Sequence, residues 1–368
     1  MKRKIVAVFF GGRSGEHVVS LRSAASIMKA IDPEKYKIVP VGITREGAWI
    51  TGDDAWLSLW EKRPPRDAYP AAMLTDPKKP GLLVQSSDSP LEWNYRPLDL
   101  AFPVLHGTYG EDGTIQGLFE MAGLPYVGSG VLASSTGMDK VVMKILFREF
   151  DLPVAPYIYF YRWQWVGRES DWVEKCGSEL NYPCFVKPSN LGSSVGISKA
   201  RSSEELRRAI DESLLYDDKV IIESYIDGRE IECSVLGDTD AEASRPGEVI
   251  PCNEFYDYRA KYIDDRSELV IPVELKPAVE SLIKTYSVKA FQAVEASGLA
   301  RVDFFLSRDG STVTINEINT LPGFTSISMY PKLWEASGVS YNELVNRLLE
   351  LAEVRHLRRS SLLVAPPE

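Results

Sequence analysis

Histidine and cysteine are scarce in this chain, with three of the first and four of the second among 368 residues. Cys176, Cys184, Cys233 and Cys252 are irregularly spaced, form no C-x-x-C pair, and find no histidine at ligand spacing among His17, His106 and His356. A zinc centre is therefore not expected, and the cysteines read as reduced structural thiols. Positive charge is also short. Lys and Arg number 42 against 52 Asp and Glu, a net charge of −10, which argues against a nucleic-acid-binding face. Long apolar runs are missing too: none approaches the roughly 18 residues of a membrane span. The run Ile5 to Phe10 ends at Gly11-Gly12, too short for a signal-peptide core, so a cytoplasmic location is expected. No internal repeat and no low-complexity tract occurs.

What is present reads as α/β. The run "KIVAVFF" ends at "GGRSGEHVVS", and Leu21, Ala24, Ala25, Met28 and Ile31 then recur at helical spacing before Asp32-Pro33 and the strand "YKIVPVGI". Strand, glycine turn, helix and strand open a domain with parallel strands. Residues 52–98 mix Trp56, Trp60 and Trp93 with seven prolines, and predict irregular loops around one hairpin, packed on the first domain by the tryptophans. The segment from "SGVLASSTGMDKVVMKILFREF" predicts a single helix carrying Val141, Val142, Ile145 and Leu146, and "RHLRRSSLLVAPPE" a frayed tail. The expected domains are 1–125, 126–226 and 227–368.

Three stretches carry chemistry. "KPSNLGSSVGIS" (187–198) follows an apolar strand and leads to another strand rather than a helix, which separates it from a Walker A loop. Its glycines let backbone N–H groups approach an anion; Ser189, Ser193, Ser194 and Ser198 add hydroxyls, and Lys187 a charge. A plain surface hairpin is the alternative. In "TVTINEINTLPG" (312–323), Glu317 and Asn319 share one strand face while Ile318 turns to the core, and Asp303 belongs to the antiparallel partner strand "LARVDFFLS". Three hard oxygen donors among apolar neighbours suit Mg²⁺. Arg301 faces the same side, either as a salt-bridge partner or as a donor to an oxyanion, a task the Gly323 N–H could share, with Ser326 and Ser328 as carboxylate donors. In "IIESYIDGREIE", Glu223 and Glu230 bracket a bend where adenine and ribose could bind. His106 ends an apolar strand, and Glu16 opens a helix, as a dipole charge or an ammonium anchor.

Taken in order, "GGRSGEHVVSL", "HGTYGEDGTIQG", "YVGSGVLASSTGMDK", "FVKPSNLGSSVG", "FYDYRAKY", "RVDFF" and "NEINTLPGFTSISMYP" resemble the D-alanine–D-alanine ligases of the ATP-grasp superfamily, over residues 4 to about 352. The resemblance implies a Rossmann-like parallel-sheet domain followed by a two-lobed ATP-grasp fold of α+β type. It further implies ATP-dependent joining of two D-alanine molecules through an acyl phosphate, for peptidoglycan precursors. Lys140 and Lys187 match the lysines on the ATP phosphates, and 189–196, with Ser193 and Ser194, the flap over them. Glu223, Tyr225, Ile226, Glu230 and Asn316 match nucleotide-binding positions, with Phe255 on the base; Ser224 stands where relatives often carry lysine. Asp303, Glu317 and Asn319 match the ligands of two Mg²⁺ ions, Mn²⁺ being an alternative. Glu16 matches the carboxylate on the first D-alanine's ammonium, near His106. Lys261 and Tyr262 belong to an ω-loop that closes the site, the tyrosine bonding Ser193 and Glu16 and favouring an amine acceptor. A homodimer through the first domain is implied. A ligase using D-serine as acceptor and a nucleotide-binding regulator without chemistry are the alternatives.

Overall fold

The computed structural model describes residues 2–192, 195–250 and 268–363. Three sheets succeed one another along the chain. In the first, Lys4–Gly11 pairs in parallel with Tyr36–Ile43 on one side and Leu100–Pro103 on the other. Every residue from Val6 to Phe10 is buried, as a central parallel strand covered on both faces requires. Helix His17–Ala30 packs Leu21, Ala24 and Ile27 against it. Gly11 has φ +90, and a Cβ there would stand 2.2 Å from the Ile43 carbonyl oxygen, so only glycine lets the strand turn into the helix so close to its neighbour.

The Trp/Pro-rich stretch differs from the expected loops. The strands Trp49–Thr51, Tyr69–Leu74, Gly81–Gln85 and Trp93–Pro97 continue the same sheet as an antiparallel meander, giving the order 93–97, 81–85, 69–74, 49–51, 36–43, 4–11, 100–103. Short strands such as "YPAAML" and the wholly exposed "WNYRP" show no clean alternation, and Pro97 is tolerated because its strand is the sheet edge. Trp56, on helix Ala55–Glu61, donates its indole N–H to the Leu21 carbonyl at 2.8 Å and stacks on Trp60, but Trp93 lies exposed on the edge strand.

The second sheet is antiparallel, in the order Ser198–Ala200, Cys184–Pro188, Lys219–Ser224, Tyr157–Tyr161, with helices Glu169–Leu180 and Ser203–Ser213 burying its apolar residues. The third runs Glu268–Val270, Gly247–Ile250, Gly228–Gly237, Gly298–Ser307, Val313–Asn319 and is covered by helix Pro277–Ala293. Met143 and Phe147 join that core from helix Lys140–Glu149.

Two further expectations need correction. The segment 131–149 is two helices, Val131–Met138 and Lys140–Glu149, broken at Asp139. The Asp139 carboxylate accepts from the backbone N–H groups of Val141 and Val142 at 3.1 Å, a cap typically worth about 1 kcal/mol. Ile145, one of the four apolar residues expected on this helix, is exposed, while Lys144 is buried. Residues 355–360 of the expected tail are instead the last turns of helix Tyr341–Ser360, which packs Leu344, Leu348 and Leu349 into the first core. Near its end the buried Arg355 donates to the carbonyls of Gly128 and Tyr126 and lies over the Tyr126 ring. An arginine-rich sequence hides this, because carbonyl oxygens rather than a contacting carboxylate take up the buried guanidinium.

Candidate active site

The hairpin of the third sheet builds one wall. Arg301 faces Asn319 and Asp303 faces Glu317 across the two strands, and the register then shifts so that Phe304 pairs with Ile315. Asn316 is the extra residue of a β-bulge. The bulge changes the phase of alternation: Ile315 goes into the core with Phe304, while Glu317 and Asn319 project with Arg301 and Asp303 on the other face. Arg301 Nε and Nη2 donate to the two Asp303 carboxylate oxygens at 2.7 and 2.8 Å, and Asn319 Nδ2 donates to Asp303 at 3.0 Å. Glu232, opposite Asp303 on the neighbouring strand, forms an ion pair with Arg301, its carboxylate 2.8 Å from Nε. Burial works against the Arg301 charge, but Asp303 and Glu232 outweigh it and hold the guanidinium protonated.

The loop after this strand is pinned by the first domain and by the C-terminal helix. His106 Nδ1 lies 3.0 Å from the Leu321 carbonyl, the Phe324 N–H donates to Ser23 Oγ at 3.2 Å, and Tyr341 donates its hydroxyl to the Phe324 carbonyl at 2.7 Å. Ser328 Oγ accepts from the Thr325 N–H at 3.1 Å, beside Gly323. Glu16, Lys140, Arg301, Glu317, Asn319, Gly323 and Ser328 thereby line one cavity of about 420 Å³. The glycine–serine loop reaches the same place, since a Cβ on Gly192 would lie 3.6 Å from Glu16 Oε2.

Behind the cavity lies a second charged cluster. Lys187 Nζ donates to Glu223 Oε2 at 3.0 Å and lies 3.4 Å from Asn316 Oδ1, while Lys144 Nζ stands 3.3 Å from Glu223 Oε1 and donates to the Asn316 carbonyl at 3.0 Å. Burial pushes the Glu223 carboxyl up, but Lys144 and Lys187 outweigh it and bring it down to about 2. Lys187 is raised in turn, because Glu223 and Glu317 overcome its desolvation. Lys140 bridges the glycine–serine loop and the hairpin face, donating to the Leu191 carbonyl at 2.6 Å and lying 4.0 Å from Glu317.

Of the remaining expected residues, Glu230 sits on the strand Gly228–Gly237 in register with Phe305 and Val249. Ile226 is half-buried, and Tyr225 is exposed with Lys199 Nζ 4.0 Å above its ring. Ser193, Ser194, Phe255, Lys261 and Tyr262 lie outside the described residues. Sequence reasoning missed Lys144, Glu232 and Glu111. Lys144 had a signal, a lysine sharing the buried stripe of Val141, Met143 and Phe147. Glu111 follows His106 by five residues and comes within 3.5 Å of its Nδ1. Burial lowers His106, but Glu111 outweighs it and raises the imidazole; burial and the charge of Glu16 raise Glu111. Cys176, Cys184 and Cys233 are buried and free, the last two pushed up to about 11 by burial, which leaves them inert.

A Rossmann-like sheet followed by two antiparallel sheets that meet between lysines and a carboxylate–amide face defines an ATP-grasp enzyme. The D-ala D-ala ligase N-terminus model matches residues 5–129 and the D-ala D-ala ligase C-terminus model residues 146–350. The D-alanine–D-alanine ligase of Heliobacterium modesticaldum is 49% identical, covering 97% of this chain and 96% of the relative, and that of Natranaerobius thermophilus 48%, covering 96% of each. Among solved structures, the D-alanine–D-alanine ligase from Coxiella burnetii has a TM-score of 0.83 at 35% identity, covering 98% and 97% of the two chains. The VanG D-Ala:D-Ser ligase from Enterococcus faecalis has 0.85 at 34%, covering 95% and 100%. The chain belongs to the D-alanine–D-alanine ligase family.

Proposed function

We propose that this chain joins two D-alanine molecules at the expense of ATP, through a D-alanyl phosphate, to supply peptidoglycan precursors. The observation that carries the reading is the single cavity shared by Glu16, Lys140, Arg301, Glu317, Asn319 and Gly323. It joins an ammonium anchor, a phosphate lysine, an acidic face and two oxyanion donors within reach of one small substrate.

Glu16 holds the ammonium of the first D-alanine, and Lys140 and Lys187, with the N–H groups of the 187–198 loop, hold the triphosphate that its carboxylate attacks. Phosphoryl transfer needs positioning and charge neutralisation more than covalent help from the protein. Asp303, Glu317 and Asn319 fit magnesium by donor chemistry, two carboxylates and an amide side by side on one face. Bound there, Mg²⁺, or Mn²⁺ in its place, neutralises the transferring phosphoryl group. Ser328 and Lys261 hold the second D-alanine by its carboxylate. Arg301 and the Gly323 N–H face the oxyanion formed when its amine attacks the acyl carbonyl, each well-aimed donor contributing about 3 kcal/mol. Ser193, Ser194 and Tyr262 close the site against water, and Glu223, Tyr225, Ile226, Glu230, Phe255 and Asn316 hold the nucleoside. We place the reaction in the cytoplasm, in a homodimer joined through the first domain.

The test is phosphate release with ATP, Mg²⁺ and D-alanine. Wild type should turn over, and Glu317→Gln should lose on the order of a thousandfold in kcat while its melting temperature stays within a few degrees. The likeness to a D-Ala:D-Ser ligase makes D-serine the acceptor to run beside it. Greater turnover with D-serine and D-alanine mixed than with D-alanine alone, yielding the mixed dipeptide, would replace the proposed acceptor; no phosphate release under either condition would reject the ligase.

A further inference from the structure

Glu223 is a buried carboxylate with two ammonium groups on it, one more cation than its charge requires. The two lysines are held differently. Lys144 is 1% exposed and is anchored a second time by the Asn316 carbonyl, which the β-bulge presents to it. Lys187 is 8% exposed, sits where its strand runs into the glycine–serine loop, and its other hydrogen-bonding neighbour among the described residues is a side-chain amide at 3.4 Å, with Glu317 and Glu230 favouring its charge from further off. Glu223 Oε1 lies in ion-pair range of Lys144 without the alignment of a hydrogen bond, so the contact is one of charge. Removing one partner from a buried ion pair leaves the other uncompensated at large cost.

We propose that Lys144 is a positioning residue for the nucleotide: it is the standing counter-ion of Glu223, which lets Lys187 exchange that carboxylate for a phosphate without stranding a buried negative charge. The inference rests on the reading of this site as an ATP site. Without Lys144, Lys187 is the only cation left on Glu223 in this triad, and a triphosphate must compete with it. A nucleoside lacking phosphates makes no such demand, so a purely structural role for Lys144 would weaken both ligands alike.

The experiment is calorimetric titration of the full chain, in Mg²⁺, with AMP-PNP and with adenosine. Lys144→Met should weaken AMP-PNP on the order of a hundredfold and adenosine by less than about threefold. In the Glu223→Gln background the carboxylate charge is gone, so adding Lys144→Met should change AMP-PNP affinity by less than about threefold. Equal losses for the two ligands, or a Lys144 effect undiminished in that background, would overturn the inference. Should Lys144→Met fail to fold by circular dichroism, Lys144→Gln, neutral but still able to donate to Asn316, carries the same comparison. Wild-type protein that does not bind AMP-PNP would reject the ATP site itself; binding with an unchanged ratio in the variants would reject only the role of Lys144.

Discussion

The two charged clusters use the same chemistry to opposite ends. On the hairpin face, one arginine is shared by Asp303 and Glu232, and Glu317 and Asn319 line the cavity, so acid is in excess where cations are wanted. Behind it, one acid is shared by Lys144 and Lys187, so base is in excess where phosphates are wanted. A buried charge left without its partner is costly, so a cluster with an excess of one sign gains from a ligand of the other. The β-bulge at Asn316 stands between them, turning its carbonyl to Lys144 and its flanking residue Glu317 to the cavity.

The comparison breaks first at Arg301. Arg301→Met should cut turnover by a factor on the order of a hundred to a thousand, as expected of an oxyanion donor, and should also lower stability by about 3–5 kcal/mol, because Asp303 and Glu232 are left without their cation. Denaturant unfolding of the variant beside Glu317→Gln measures the contrast, since Glu317 is not the keystone of its cluster. A loss of activity with unchanged stability would show that the hairpin acids do not depend on this arginine.

The lysine-rich cluster responds to acid. Its carboxyl, brought down to about 2 from an ordinary 4.5, contributes stability that is fully present above about pH 4.5 and is lost as pH falls toward about 2. The difference in melting temperature between wild type and Glu223→Gln should therefore be constant above pH 4.5 and shrink below it. A difference that grows on acidification would contradict the assigned ion pairs. The smallest effect belongs outside both clusters, where Asn346 on the C-terminal helix accepts from the Asp32 N–H at 3.2 Å and donates to the Ala30 carbonyl at 3.2 Å. Asn346→Ala should cost about 1 kcal/mol in urea unfolding and leave kcat unchanged; a large fall in kcat would mean that this helix positions the loop after the hairpin more tightly than its contacts indicate.

Much of the site was legible. Glu317, Asn319, Asp303 and Arg301 lie on two strands joined by a short turn, and strand alternation alone puts them on one face. The parallel opening of the first domain was legible for the same reason, since hydrophobic period and a glycine turn are local signals. The meander of residues 49–97 was not, because its strands are short, half-exposed and broken by proline, and are strands only because each pairs with the one before. Lys144 escaped because a lysine among apolar neighbours looks like a solvated charge until its acid, 79 positions further on, is brought beside it.

The amino-acid sequence by itself determined the opening strand, turn and helix of the first domain, the family and the acidic hairpin, which depend on signals within short stretches of chain. Tertiary structure alone decided which charges meet. His106 on Leu321, Lys144 on Glu223 and Asn316, and Arg355 on Tyr126 join segments far apart in the chain. Burial gives those contacts their strength, because a charge removed from water is governed by the few groups that still touch it, and only the folded chain chooses them.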